Sequence, residues 1–158
     1  MDSKVKLDGD LNGFSVRNPE KLSIEEYIKE WYELAEKKAT KKEIESSNTL
    51  LELPKPYIVA GGRFQEMYYW DSFFTCLGLE ILGKRDKIEN ILDNMAYEIK
   101  KYGFVPNANR SYYLGRSQPP FFLPLLKQFY LPSMWKSEWF EALGVEEEWW
   151  NSNRSITL

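Results

Sequence analysis

Ala60-Gly61-Gly62-Arg63-Phe64-Gln65-Glu66-Met67-Tyr68-Tyr69-Trp70-Asp71-Ser72-Phe73-Phe74 gathers a glycine pair, an arginine, two carboxylates and a run of aromatic rings into one short segment. Its apolar residues decide the fold. Met67, Trp70, Phe73, Phe74, Leu77 and Ile81 recur at three- and four-residue spacing, which predicts a helix from Phe64 to about Leu82, stopped by Gly83. The same segment carries chemistry. A pyranose presents C–H faces that stack on rings and hydroxyls that need charge-assisted hydrogen bonds, so Tyr, Trp, Arg and Asp together point to carbohydrate rather than nucleic acid or lipid. Rings at helical spacing also pack cores, and from composition both uses stay open.

Outward from this segment the chain reads as helix after helix. Ile88, Ile91, Leu92, Met95 and Ile99 mark one face of a helix over about 86–101, and the short link after Gly83 makes it antiparallel to its predecessor. Upstream, Pro54 and Pro56 forbid a helix over 50–59 and bring the chain extended to the glycine pair. Ser23-Ile24-Glu25-Glu26 is a capping box, and the apolar spacing after it predicts a helix to about Lys38, with the lysines of 37–42 as a solvated helix end. Residues 1–20 read as an extended lead-in.

Residues 102–118 show no period and are dense in amides, hydroxyls and arginines, as functional loops are. Pro119 and Pro120 open a helix through Phe122, Leu125, Leu126 and Phe129, with Ser117 or Gln118 at its cap. Helical material then continues from Pro132 to about Asn151, interrupted near Gly144. Glu146-Glu147-Glu148 reads as a solvated face, and 153–158 as the opening of a strand. About five helical segments make the chain all-α.

Composition narrows the chemistry. The chain has 158 residues, no histidine and Cys76 as its single cysteine, which excludes a Ser-His-Asp triad and His/Cys zinc sites within it and leaves proton transfer to carboxylates. Cys76, between Phe73 and Leu77, reads as a buried thiol. With 21 basic and 24 acidic residues interspersed, no basic stripe marks a nucleic-acid or anionic-membrane partner. No apolar run approaches membrane-span length, and Met1 to Gly13 lacks an apolar leader, so a cytoplasmic location is expected. On a regular helix Glu66 and Asp71 would lie roughly 140° apart in azimuth and could not converge on one bond. They divide instead into one carboxylate for sugar hydroxyls and one that holds Arg63 or a backbone donor.

Gly61 to Phe73 resembles the first signature of the α,α-trehalase family. Gly103-Phe104-Val105-Pro106-Asn107-Ala108-Asn109-Arg110-Ser111-Tyr112-Tyr113-Leu114-Gly115-Arg116-Ser117-Gln118-Pro119-Pro120-Phe121-Phe122 resembles its next conserved loop, Ala108 and Gly115 being small departures. Leu53 to Val59 is similar to the family's lead-in, with Ala60 where a proline is usual, and Trp149 to Ser155 is similar to a later helix end. The resemblance covers about residues 20–158. It implies a partial (α/α)6 barrel, with 21–158 as the N-terminal part of a catalytic domain cut short. It further implies that Arg63, Trp70, Asp71, Asn107, Arg116, Ser117 and Gln118 line a substrate pocket, supported by Phe64, Glu66 and Tyr69. The implied reaction is hydrolysis of α,α-trehalose to two glucose with inversion, without metal or cofactor, its acid and base lying downstream of Leu158. The alternatives are a non-catalytic carbohydrate-binding remnant and a helical interaction module. Apolar helix faces left without neighbours predict self-association or packing on a C-terminal part.

Overall fold

A computed structural model of the chain describes residues 19–39, 41–47, 49–61 and 63–154. Most of the lead-in, Gly62 and residues 155–158 lie outside the described residues; of the strand opening expected over 153–158, Asn153 and Arg154 are instead the end of the last helix.

Helix α1, Ile24–Ala35, opens with the expected capping box: Glu26 N–H donates to Ser23 Oγ at 3.2 Å, and Ser23 N–H donates to Glu26 Oε2 at 2.8 Å. It ends three residues early. Glu36–Lys37 forms strand β1, which pairs antiparallel with strand β2, Tyr57–Ile58. The prolines hold 54–56 out of helix, so the extended chain after them offers a ladder, and Val59 N–H donates to Ala35 O at 3.0 Å. Lys41 and Lys42 begin a helix of their own, α2 (Lys41–Ser47), rather than ending α1.

Helix α3, Asp71–Ile81, turns through Leu82-Gly83-Lys84 into α4, Arg85–Tyr102, the antiparallel pair expected. The α4 helix is the centre of the molecule. Its stripe Ile88, Ile91, Leu92, Met95 and Ile99 is fully buried among α3, β2, α5 (Phe122–Phe129) and α6 (Ser137–Arg154). Asn94, also buried on α4, accepts from Lys55 N–H at 2.9 Å and donates to Lys55 O at 3.1 Å, which pins the proline segment to the helix. Gly103 ends α4 at φ +89°, its N–H bonded to Ile99 O, and a Cβ there would stand 3.4 Å from the Trp149 ring. The left-handed φ is what calls for glycine here, since a Cβ at that distance would make ordinary contact with the ring. Behind it Phe104 stacks on Trp149 with centroids 4.4 Å apart.

Three expectations change. Helix α3 begins at Asp71 instead of Phe64, because 67–69 pairs with a distant loop. Helix α5 begins at Phe122, with Phe121 at its N-cap position, so neither Ser117 nor Gln118 caps it. Helix α6 runs unbroken through Gly144, since one glycine costs only about 1 kcal/mol while Trp139, Ala142 and Glu146 share one buried stripe. The described residues form six α-helices, α2 being the one missed, and two two-residue strands. The class is all-α, and helical layers around α4 are consistent with a partial toroid.

Candidate functional site

Two segments far apart in sequence, 66–71 and 107–118, are zipped together. Tyr68 and Ala108 form an antiparallel bridge, and Tyr69 N–H donates to Asn107 O at 3.3 Å. Asn109 is the fastener. Its side-chain oxygen accepts from Met67 N–H at 2.8 Å, its N–H donates to Met67 O at 3.3 Å, and its carbonyl accepts from Leu51 N–H at 2.9 Å, so three extended strands of chain meet at one buried amide. Those bonds occupy the backbone groups that a helix over 64–70 would have used. Met67 and Tyr69 are buried and Tyr68 between them half-buried, the alternation of an extended segment.

Glu66 is buried against Arg110, not Arg63. Arg110 Nε donates to Glu66 Oε1 at 2.8 Å, Nη2 stands 2.7 Å from the same oxygen, and Nη1 donates to Thr49 Oγ1 at 3.0 Å. Gln65 N–H completes the carboxylate's partners. Arg63 is exposed and lies over the Phe64 ring at 5.4 Å, in contact with neither carboxylate. Gly61 precedes it at φ +104°, in a turn closed by Phe64 N–H donating to Gly61 O.

The open face is built at the start of α3. Gln118 reaches across: its Oε1 accepts from Trp70 N–H at 3.0 Å and its Nε2 donates to Asp71 Oδ2 at 3.3 Å. Trp70 is 42% exposed and meets the Phe121 ring in a T-shaped contact. Asn107 N–H donates to Arg116 O, which folds the loop back on itself, and the Arg116 guanidinium lies over the Tyr113 ring at 4.8 Å. Ser117 donates its hydroxyl proton inward to Val105 O at 2.7 Å. Trp70, Asp71 and Gln118 are thus joined directly and Asn107, Arg116 and Ser117 by the same loop, whereas Phe64 meets that loop only through the Tyr68 ring, which packs on Tyr113, and the contact shown for Arg63 is with Phe64.

Behind this face Tyr69 is fully buried, donating to Glu146 Oε1 at 2.6 Å and accepting from Phe122 N–H at 2.9 Å. Glu146 was expected on a solvated face with Glu147 and Glu148, yet it is 4% exposed. Burial pushes its carboxyl up to about 7, against the pull of the Tyr69 hydrogen bond. The Tyr69 phenol is raised well above its ordinary range, by burial first and then by the Glu146 charge. The Cys76 thiol is buried, and burial raises it, so it is a core residue as expected. Among the described residues no three His, Cys, Asp or Glu side chains group as metal ligands.

Residues 13–157 match the family described as trehalase. The chain belongs to the trehalase family. A periplasmic trehalase of Escherichia coli O1:K1 is 52% identical over 113 residues, covering 65% of this chain and 20% of that protein. A periplasmic trehalase of Pseudomonas aeruginosa is 59% identical over 80 residues, 51% of this chain and 15% of that one. The solved neutral trehalase of Saccharomyces cerevisiae aligns at TM-score 0.45 and 41% identity over 58% of this chain and 17% of its own. The chain therefore spans about a quarter or less of the length of these curated trehalases.

The names of these trehalase relatives overturn the cytoplasmic expectation and point to the periplasm. That expectation rested on the missing apolar leader in 1–13, and an absence within so small a share of a protein says nothing about compartment. No helix among the described residues is long and apolar enough to cross a membrane. Asn109 and Arg110 were missed as framing residues of this trehalase-family site. Both stand in the second motif, but only the fold shows that the amide faces Met67 and the guanidinium faces Glu66.

Proposed function

We propose that this chain supplies the substrate-binding side of a trehalase-type glycoside hydrolase acting on α,α-trehalose, with residues 21–158 as one part of the catalytic domain. The observation that carries it is Gln118 joining Trp70 and Asp71, which makes one surface of two motifs. The indole face stacks on a glucose ring, Asp71 accepts sugar hydroxyls, and Asn107, Arg116 and Arg63 donate around the rim. Ser117 and Phe64 hold the loop edges, while Glu66 and Tyr69 support from beneath. Inversion requires an acid and a base roughly 6.5–9.5 Å apart with room for water. Glu66 is held by Arg110 and Asp71 by Gln118, so neither stands as a free member of such a pair. Trehalose should bind the isolated chain weakly, with Kd on the order of millimolar, and no glucose should be released. Saturation-transfer NMR and a coupled glucose assay test both halves. Absence of binding sinks the sugar-binding reading, and turnover abolished by Asp71→Asn sinks the division of labour.

One observation favours a helical interaction surface in addition. Phe74, Leu77 and Ile81 lie on one face of α3, with Phe74 59% and Ile81 87% exposed. Such a patch drives association in water, and a second copy of the chain is the occupant proposed. Sedimentation velocity should show concentration-dependent dimers or larger species that revert to monomer in Ile81→Glu. A monomer at all concentrations would count against it.

A further inference from the structure

The phenol of Tyr69 has one proton to give and lone pairs to receive with, and both are used on segments far away in sequence. The proton goes to Glu146 on α6, and a lone pair takes the N–H of Phe122, the first residue of α5. First-turn N–H groups have no partner inside their own helix, and Phe121 at the N-cap position offers none, so the phenol is the cap of α5. Each bond lies one step from the substrate face. Tyr69 is followed directly by Trp70 and Asp71. Phe122 is preceded by Phe121, whose ring meets Trp70 with centroids 6.4 Å apart, and by Gln118, which holds both Trp70 and Asp71. The two halves of the face are therefore joined twice, in front by Gln118 and behind by the phenol, and the phenol's direction is set by the carboxyl it donates to.

We propose that Glu146 is a positioning residue: acting through Tyr69, it holds Trp70–Asp71 in register with Gln118–Phe121. This rests on the sugar-binding reading of that face for its purpose but not for its geometry. What Glu146 supplies is an acceptor at the right place. An amide oxygen can do the same, so Glu146→Gln should preserve the arrangement, whereas Glu146→Ala leaves the phenol proton without an acceptor and Tyr69→Phe leaves Phe122 N–H without a cap. A residue that merely filled the core would change stability in all three without singling out Trp70.

The test uses the 158-residue chain labelled with 5-fluorotryptophan, Trp70 being assigned by Trp70→Phe and Trp31 on α1 serving as the remote control. In Glu146→Ala and in Tyr69→Phe the Trp70 fluorine signal is expected to shift or broaden while Trp31 stays. Amide exchange at Phe122 should rise at least tenfold in both. Glu146→Gln should keep the wild-type Trp70 signal and Phe122 protection, and trehalose affinity should fall several-fold in Glu146→Ala and recover in Glu146→Gln. Should Glu146→Ala fail to fold, the near-isosteric Tyr69→Phe carries the loss arm. Unmoved Trp70 and Phe122 signals in a folded loss variant, or Trp70 displaced in Glu146→Gln as far as in Tyr69→Phe, would overturn the proposal. Wild-type chain that binds no trehalose fails the sugar-binding reading only, and the fluorine and exchange readouts still decide this one.

Discussion

Arg110→Ala is expected to destabilise the chain by about 3–5 kcal/mol, as measured by urea unfolding, because it strands a buried carboxylate. The side chains of Arg110 and Glu66 keep only 15% and 11% of their surface in water, so neither is well solvated if the other is removed. Surface pairs behave differently: they contribute about 0–1 kcal/mol and are screened by salt. Arg110 also donates to Thr49 Oγ1, so its loss removes one side-chain tie between the 49–51 segment and the second motif, while the backbone bonds between them remain. The damage should reach the substrate face, since Glu66 lies four residues before Trp70 on the strand that Asn109 holds. The paired replacement Glu66→Leu with Arg110→Met should recover most of the loss, because two apolar groups leave no unpaired charge. A loss below about 1 kcal/mol for Arg110→Ala would show that water reaches the pair and that it acts as a surface bridge.

Stability should also fall as the pH rises above about 5, because two buried carboxyls, Glu98 and Glu146, hold their protons in the folded chain. Glu98 is buried on α4, its Oε1 has no hydrogen-bond partner, and burial raises its carboxyl well above the ordinary range. Glu146 is raised for the same cause, to about 7. For an acid whose folded pKa is raised, folded and unfolded chains both hold the proton at low pH. Above the unfolded value the unfolded chain releases it while the folded chain keeps it, so stability is lost with rising pH at up to about 1.4 kcal/mol per unit for each proton. The Glu146 share levels off near neutrality, and the Glu98 share adds to the decline in the same direction. Glu98→Gln removes one of the two titrations. Its unfolding free energy, compared with wild type from pH 5 to 8, should show a shallower decline and a gain in stability that grows with pH. Parallel profiles would mean that Glu98 ionises in the folded chain with a partner that replaces water.

The amino-acid sequence by itself determined the helical class, the stripe of α4, the capping box of α1, the glycine stop at Gly83 and the two motifs that carry the family. Those features depend on neighbours within a few residues, where periodicity, capping and turn chemistry act directly. Tertiary structure alone decided three others. The segment 64–70 has helical spacing but does not form a helix, because Asn109, some forty positions away, takes the Met67 backbone N–H that a helix would need. Glu66 is paired with Arg110 although Arg63 is nearer in sequence, since the zipped loops bring the distant guanidinium to the carboxylate and leave the near one in solvent. Glu146, in a run of three glutamates, is buried because an unbroken α6 continues the stripe begun by Trp139 and Ala142 and places its carboxyl on the Tyr69 phenol. In each case the deciding partner is a polar group that no local pattern identifies, and a buried polar group takes whichever partner the packed helices bring within hydrogen-bond reach.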